Sequence, residues 1–176
     1  MSALSVLYIV LPILAVSFCH ALEVVFTARR WASHHSASSD EAHQSLVNIL
    51  FRLSGMNMSA LVIAAVVGFL AVLLSTAALF AGGLWAELVW TTVFMAYSVC
   101  ALINLVRAVT LKGYVPGLVT SIISVPLIAY AAYSLSLVWP WWGMLLFAIL
   151  GLFLALANLY FAQRIGQRQT SKSTKN

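Results

Sequence analysis

Long apolar runs separated by short polar stretches dominate the chain. Five of these runs are long enough to cross a bilayer core, because about 20 apolar residues span its thickness of about 30 Å. They cover approximately residues 4–27, 58–80, 84–109, 115–139 and 142–163. The runs are too long and too uniform for the alternating strands of a membrane barrel, so each is predicted to be a helix. The predicted fold class is therefore all-α: a polytopic membrane bundle of five transmembrane helices in one membrane domain, residues 1–166.

Two connections between these spans are very short. The turn at Ala81-Gly82-Gly83 joins the second span to the third, and the stretch around Pro140 joins the fourth to the fifth. Glycine and proline are the residues that most strongly interrupt a helix. Each of these two pairs of spans is therefore predicted to form a tight antiparallel hairpin.

The longest polar segment lies between the first two spans. Within it, Ser38 and Glu41 have the spacing of a capping box, and apolar residues then recur at helical intervals. This pattern predicts an amphipathic helix over about 39–54 that lies on the cytoplasmic surface of the membrane. It is either a plain connector that shields the bundle or a partner-binding helix. A tail over 167–176, rich in Ser, Thr, Lys and Gln, is predicted to be disordered.

Composition and charge determine the environment and the orientation. With 63% hydrophobic and 7% charged residues, the chain has too little polar surface for a soluble domain. In a five-span topology all nine Lys and Arg residues fall on one side, which is typical of cytoplasmic loops, so we expect the N-terminus outside and the C-terminus in the cytoplasm. The basic residues lie at helix ends, which argues against nucleic-acid binding. The opposite side carries an aromatic belt of Trp85, Trp90, Trp139, Trp141 and Trp142.

A few polar residues inside the spans form the candidate site. Ionisable groups are costly in a membrane, so each needs a partner or a function. His20 and Glu23 stand three residues apart on one face of the first helix. A polar cluster in the cytoplasmic leaflet is predicted, and within it Glu23 and Arg107 are the expected ion pair. Besides His20 and Glu23, the topology places Asn104, Arg107, Tyr114 and Asn158 at this depth.

Several roles for His20 and Glu23 remain open at this stage. The four alternatives are a hydrogen-bond network that sets helix register, a ligand pocket that they line, a catalytic acid and base, and a site for a divalent metal ion. A metal site needs at least one further strong ligand, and the nearest histidines in the sequence lie in the loop that follows. Phosphate-binding glycine loops, nucleophile elbows and zinc-protease helices are absent from the sequence. No cofactor is indicated by these patterns.

Two short segments resemble a known family. His20-Ala21-Leu22-Glu23, which ends the first span, and Tyr114-Val115-Pro116-Gly117-Leu118-Val119-Thr120, which opens a later one, are similar to segments of the bacterial HXXEE-motif membrane proteins. Length and number of spans agree, so the resemblance covers most of the chain. It departs at Val24, where the motif has its second glutamate, and at Arg107, where a histidine is expected. If family members use those groups in catalysis or ligation, this chain lacks that activity.

The resemblance implies a multi-pass protein of the bacterial inner membrane, of uncharacterised function. We expect a pocket in the cytoplasmic leaflet that binds a lipid-like or small polar ligand, or an accessory subunit of a membrane complex. The alternative is a membrane-embedded enzyme that uses His20 and Glu23, with or without a metal ion, on a hydrophobic substrate. The expected partners are membrane lipids or another membrane protein.

Overall fold

The computed structural model describes residues 3–35, 58–110 and 112–173. They form five helices, which are α1 (Ala3–His35), α2 (Met58–Ala81), α3 (Leu84–Thr110), α4 (Leu118–Ser136) and α5 (Trp141–Ser173). Each helix contains a stretch long and apolar enough to cross a membrane, and the described ranges contain no strand. The prediction of an all-α, five-span protein is confirmed. The predicted interfacial helix over 39–54 lies outside the described residues.

Four of the helices form a ring. α1 packs against α2 and α4, and α3 closes the ring by packing against the same two helices. α5 lies outside the ring in the groove between α2 and α3. Because successive helices run in opposite directions, each end of the bundle collects a different kind of residue. We name them the tryptophan end, with Trp85, Trp139, Trp141 and Trp142, and the basic end, with Arg30, Arg107, Lys112 and Arg164.

Only one of the two predicted hairpins is tightly packed. Gly82 and Gly83 have positive φ angles of 84° and 99°, which let the chain reverse so that α3 packs along α2. The connection from α4 to α5 is also short, but α5 packs mainly on α3 and α2 and has few contacts with α4. The prediction of a tight α4–α5 hairpin is therefore wrong.

Small residues explain the choice of partner for α5. A Cβ at Gly151 would lie 2.7 Å from the backbone nitrogen of Ala96 in α3. A Cβ at Gly166 would lie 3.0 Å from the Cβ of Ala60 in α2. Close approach of backbones is the main source of helix association in lipid, where apolar side chains gain little by leaving the solvent. α5 is therefore seated where these two glycines allow the closest contact.

The last helix also extends further than predicted. α5 continues to Ser173, whereas the fifth span was predicted to end at about residue 163 and the tail from residue 167 to be disordered. No proline follows Gly166, and Gln, Arg and Lys are good helix formers. The helix therefore continues beyond its apolar stretch, which ends at Gly166.

Two clusters of buried apolar residues lie at opposite ends of the bundle. At the tryptophan end the rings of Trp90 and Phe94 stack with centroids 5.5 Å apart, within a cluster of large side chains from α1 to α4. At the basic end the buried cluster consists mostly of alanines from α1, α2 and α5. The large side chains fill the first cluster, while the second leaves space beside it for polar groups.

Candidate functional site

The carboxylate of Glu23 in α1 caps the N-terminus of α4. Its Oε1 accepts hydrogen bonds from the Tyr114 hydroxyl at 2.7 Å and from the Val119 N–H at 3.1 Å. Its Oε2 accepts from the Thr120 N–H at 2.8 Å and from the Thr120 hydroxyl at 2.7 Å. The first amides of a helix have no partner within it, and the N-cap residue Gly117 has no side chain to supply one. Glu23 supplies both the acceptor and a negative charge at the positive end of the helix dipole.

Gly117 brings α4 against α1. Its φ angle of 87° lies in the left-handed region, where residues with a Cβ are strained. A Cβ at this position would overlap the imidazole of His20 and lie 3.1 Å from the amide nitrogen of Asn104. Glycine is therefore required at this position both by backbone conformation and by space.

Thr120 links the histidine to the glutamate. Its Oγ1 lies 2.9 Å from Nδ1 of His20 and 2.7 Å from Oε2 of Glu23. The single hydroxyl hydrogen is donated to the carboxylate, so the same oxygen accepts a hydrogen bond from Nδ1–H of His20. In the neutral imidazole, Nε2 then carries the lone pair and is a hydrogen-bond acceptor. The Glu23–Thr120–His20 chain therefore sets both the orientation and the tautomer of His20.

His20 also lines a cavity of ≈ 160 Å³ between α1, α2, α3 and α5. Most of its walls are apolar, including Val67, Phe69 and Val72 of α2. The face of α3 changes character along the cavity, from Val93 to Arg107 about 21 Å further along the helix. Most of the polar side chains on the wall lie towards the basic end, and the polar set is Ser17, His20, Tyr97, Asn104, Arg107 and Asn158.

Arg107 does not form the predicted ion pair with Glu23. Both oxygens of Glu23 are bonded to groups at the start of α4, as described above. Arg107 faces the cavity, and its buried Nε has no hydrogen-bond partner among the residues that the structure describes. The prediction considered depth alone, but the unpaired amides of α4 attract the carboxylate to the other side of α1. The hydroxyl of Tyr97, also on the cavity wall, is buried and lies against Ser124 of α4.

The structure separates the predicted site residues into two neighbouring groups. His20, Asn104, Arg107 and Asn158 line the cavity, where Asn158 donates from Nδ2 to the carbonyl of Ala64 at 2.9 Å. Glu23 and Tyr114 bond to each other beside it, and neither is part of the cavity wall. The cluster at one depth was correctly predicted, but its division between two faces of α1 was not.

Three contributors were not among the predicted site residues. Thr120 and Gly117 belong to the second motif segment, so the motif itself was a signal that they act together with His20 and Glu23. Tyr97 stands at helical spacing from Asn104 and Arg107, and a search for a polar stripe on α3 finds it. Without the fold, no pattern assigns that stripe to the cavity.

A metal ion has few ligands to hold it here. No group of three or more His, Cys, Asp or Glu side chains is close enough to bind one within residues 3–35, 58–110 and 112–173, as far as their side chains are described. Nδ1 of His20 and both oxygens of Glu23 already make hydrogen bonds. The side chains of His34 and His35, the last two residues of α1, and of His43 are not among those described. Metal binding by His20 and Glu23 stays a prediction.

Comparison with known proteins points to one family. A family model described as "Protein of unknown function with HXXEE motif" matches residues 11–132, a range that contains both motif segments. No curated protein and no solved structure matches the chain. In this chain the motif reads His20-Ala21-Leu22-Glu23-Val24. The two segments that carry the resemblance are thus the two sides of the contact between α1 and α4.

Proposed function

The chain belongs to the family of proteins of unknown function with an HXXEE motif, and we propose that it binds a lipid-like or small polar ligand in the cavity between α1, α2, α3 and α5. The observation that carries this proposal is the lining of the cavity, with polar groups gathered towards one end and apolar walls elsewhere. Ligand pockets combine a mainly apolar surface with a few placed polar groups, which fix the orientation of the ligand.

The charge distribution supports an orientation for this binding protein. Lys and Arg residues lie at the basic end, and cytoplasmic ends of membrane proteins retain such residues. We therefore place the bundle in a bacterial inner membrane with the basic end in the cytoplasm. The polar end of the cavity then lies in the cytoplasmic leaflet, where membrane lipids are the nearest source of ligands.

Each polar residue has a role in this proposal. Glu23 and Thr120 hold α1 to α4 and orient His20 at the cavity wall. Asn158 uses Nδ2 to bond α2, which leaves its carbonyl oxygen to accept from a ligand. Arg107 supplies a donor, its buried Nε, that has no partner among the described residues. The site therefore offers both donors and acceptors to a polar head group.

The test is to fill the cavity and follow co-purifying molecules. Gly68 lines the cavity, and a Cβ there would lie 3.7 Å from Nδ2 of Asn158, an ordinary contact distance. Gly68→Leu should therefore fold and occupy the space, and Gly68→Ala is the matched control. Native mass spectrometry in a mild detergent should find a bound small molecule on the wild type and on Gly68→Ala, and lose it on Gly68→Leu. Equal occupancy on all three proteins would contradict binding in this cavity.

A second candidate function rests on the Glu23–Thr120–His20 chain. Such a chain orients a histidine and fixes the tautomer in which Nε2 accepts a proton, as a general base requires. In a membrane-embedded enzyme, His20 would remove a proton from a hydrophobic substrate. His20→Gln should then retain the bound molecule but no longer convert it, whereas a pure binding protein converts it in neither form. The measurement is the mass of the co-purified molecule after incubation with each protein.

An accessory-subunit role makes a different prediction. The protein would then leave native membranes together with a partner protein, and Gly68→Leu would not disturb that association. Affinity purification of the wild type and of Gly68→Leu from the same membranes measures this. Loss of the small molecule without loss of a partner would separate the two roles.

A further inference from the structure

Arg107 is a partly buried cation on the cavity wall. Its guanidinium stays protonated at any physiological pH, so it cannot escape the cost of burial by losing its charge. Its Nε is fully buried and has no hydrogen-bond partner among the described residues. The buried part of a charged group is normally hydrogen-bonded or solvated, because leaving it uncompensated is costly. The described residues do not provide that partner for the Nε of Arg107.

The carboxylates within the described ranges are committed elsewhere. Glu23 accepts four hydrogen bonds from Tyr114 and the start of α4, and its side chain is not part of the cavity wall. Glu87 lies in the first turn of α3, about 30 Å along the helix from Arg107. At that separation the attraction between Glu87 and Arg107 is negligible, because distance weakens it and salt screens it. Neither of these two glutamates therefore balances the charge of Arg107.

The position that departs from the family motif faces the same cavity. The motif has two adjacent glutamates, and Val24 stands at the second of them. Val24 lines the cavity that Arg107 lines, and it also packs in the buried cluster at the basic end. Where the motif places a carboxylate, this chain therefore has an apolar wall, and the Nε of Arg107 has no partner within residues 3–35, 58–110 and 112–173.

We infer that the ligand supplies the missing negative charge: it is an amphiphile whose oxyanion head group, a carboxylate or a phosphate, binds Arg107. This rests on the proposed function and names its ligand class. A guanidinium matches the two oxygens of such a head group with parallel hydrogen bonds. The apolar tail lies along Phe69, Val72 and Val93, where the walls offer no polar partner.

The experiment measures binding of four probes to the full chain, freed of co-purified molecules, by native mass spectrometry in a neutral detergent. Oleate and oleoyl lysophosphatidate carry the two head groups, oleyl alcohol is the uncharged counterpart, and inorganic phosphate is the head group alone. The variants are Arg107→Gln and the matched control Arg164→Gln, which removes an exposed basic residue whose guanidinium lies 5.2 Å from the Tyr160 ring.

For the wild type and Arg164→Gln, one or both anionic amphiphiles should bind at least tenfold more tightly than oleyl alcohol or inorganic phosphate. Arg107→Gln should lose that tenfold preference. This substitution removes a partly buried charge whose Nε has no partner among the described residues. The variant should therefore melt at or above the wild-type temperature, so its loss of binding is not a loss of fold. Which amphiphile binds more tightly identifies the head group.

Val24→Glu tests the same inference from the opposite wall. A carboxylate at this position competes with the ligand for Arg107, so the variant should bind the anionic amphiphile at least tenfold less tightly. Val24→Gln, which has the same size without the charge, should retain most of the binding. Equal binding by these two variants would overturn the role of charge.

The remaining outcomes separate this inference from the proposed function. Binding of oleyl alcohol as tight as oleate, unchanged by Arg107→Gln, overturns the anionic head group but leaves the cavity as a ligand site. Inorganic phosphate as tight as the amphiphiles overturns the role of the tail. Failure of every probe to bind, together with equal native ligand on Gly68→Leu and the wild type, overturns both.

Discussion

The two ends of the bundle differ in what holds their helices together. At the tryptophan end, large apolar side chains such as Ile13, Trp90, Phe94 and Leu135 fill the space between helices and are almost completely buried. At the basic end, alanines bring helices together beside a cavity that contains polar groups. Close packing supports the first end, whereas the second depends on particular hydrogen bonds. We expect general packing changes to affect one end and single polar substitutions to affect the other.

Within the basic end, two partly buried charges differ in how well the fold pairs them. Glu23 is fully bonded by the start of α4, so it contributes to the association of α1 with α4. Arg107 lacks a partner for its buried Nε among the described residues, so it opposes folding until a ligand balances it. A charge that the fold satisfies is structural, and a charge that the fold leaves unsatisfied is a candidate for binding.

The largest effect is expected at Gly117. Gly117→Ala adds both a left-handed backbone strain and an overlap with His20, which together cost about 4 kcal/mol of unfolding free energy. Gly82→Ala at the tryptophan end is the control, because its φ of 84° is similar but nothing lies within 4 Å of the added Cβ. It should lose only about 1.5 kcal/mol. Unfolding in mixed micelles, followed by tryptophan fluorescence, measures both, and equal losses would contradict the close contact between α1 and α4.

The next effect is expected at the cap of α4. Glu23→Ala leaves the Tyr114 hydroxyl and the Val119 and Thr120 amides without their acceptor, which should cost about 3 kcal/mol. Hydrogen exchange at the Val119 and Thr120 amides should accelerate, because the first turn of α4 opens. Glu87→Ala removes a carboxylate from the tryptophan end and should leave exchange at these two amides unchanged. Unchanged exchange in Glu23→Ala would disprove the capping role.

A smaller effect of opposite sign is expected at Thr76. Thr76→Val removes a buried hydroxyl that has no partner in the described part of the chain, so the protein should gain about 1 kcal/mol. Thr91→Val is the matched control, because this equally buried hydroxyl donates to the Glu87 carbonyl at 2.7 Å, and it should lose about 1 kcal/mol. The same micelle unfolding assay applies. A loss of stability in Thr76→Val would show that its hydroxyl is already satisfied.

The smallest effect is a pH dependence at Tyr114, which is 40% exposed. Burial, and then the hydrogen bond and charge of Glu23, raise the pKa of Tyr114 above its ordinary value of 10.0. Its contribution to stability is therefore complete below the unfolded pKa and is lost as the pH rises through the higher folded value. The stability difference between the wild type and Tyr114→Phe should shrink between about pH 9 and pH 11. A constant difference over that range would contradict the Tyr114–Glu23 contact.

Much of the fold and part of the site were predictable from the sequence. The five spans were predictable, because a run of apolar residues has few stable conformations in lipid other than a helix. It was also predictable that one end would collect His20, Glu23, Asn104 and Arg107, because alternating spans place residues at calculable depths. The α4–α5 hairpin and the Glu23–Arg107 pair were predicted wrongly. Both errors assumed that residues near in sequence or equal in depth must be neighbours.

Depth along a helix follows from the rise of 1.5 Å per residue, so the sequence by itself determined which residues share a level of the membrane. Neighbours around the bundle axis depend on how closely helices approach, and that is the sum of many small contacts between distant segments. Only the tertiary structure decided that Gly117 brings α4 onto His20, that Glu23 turns to the amides of α4, and that Arg107 is left facing a cavity.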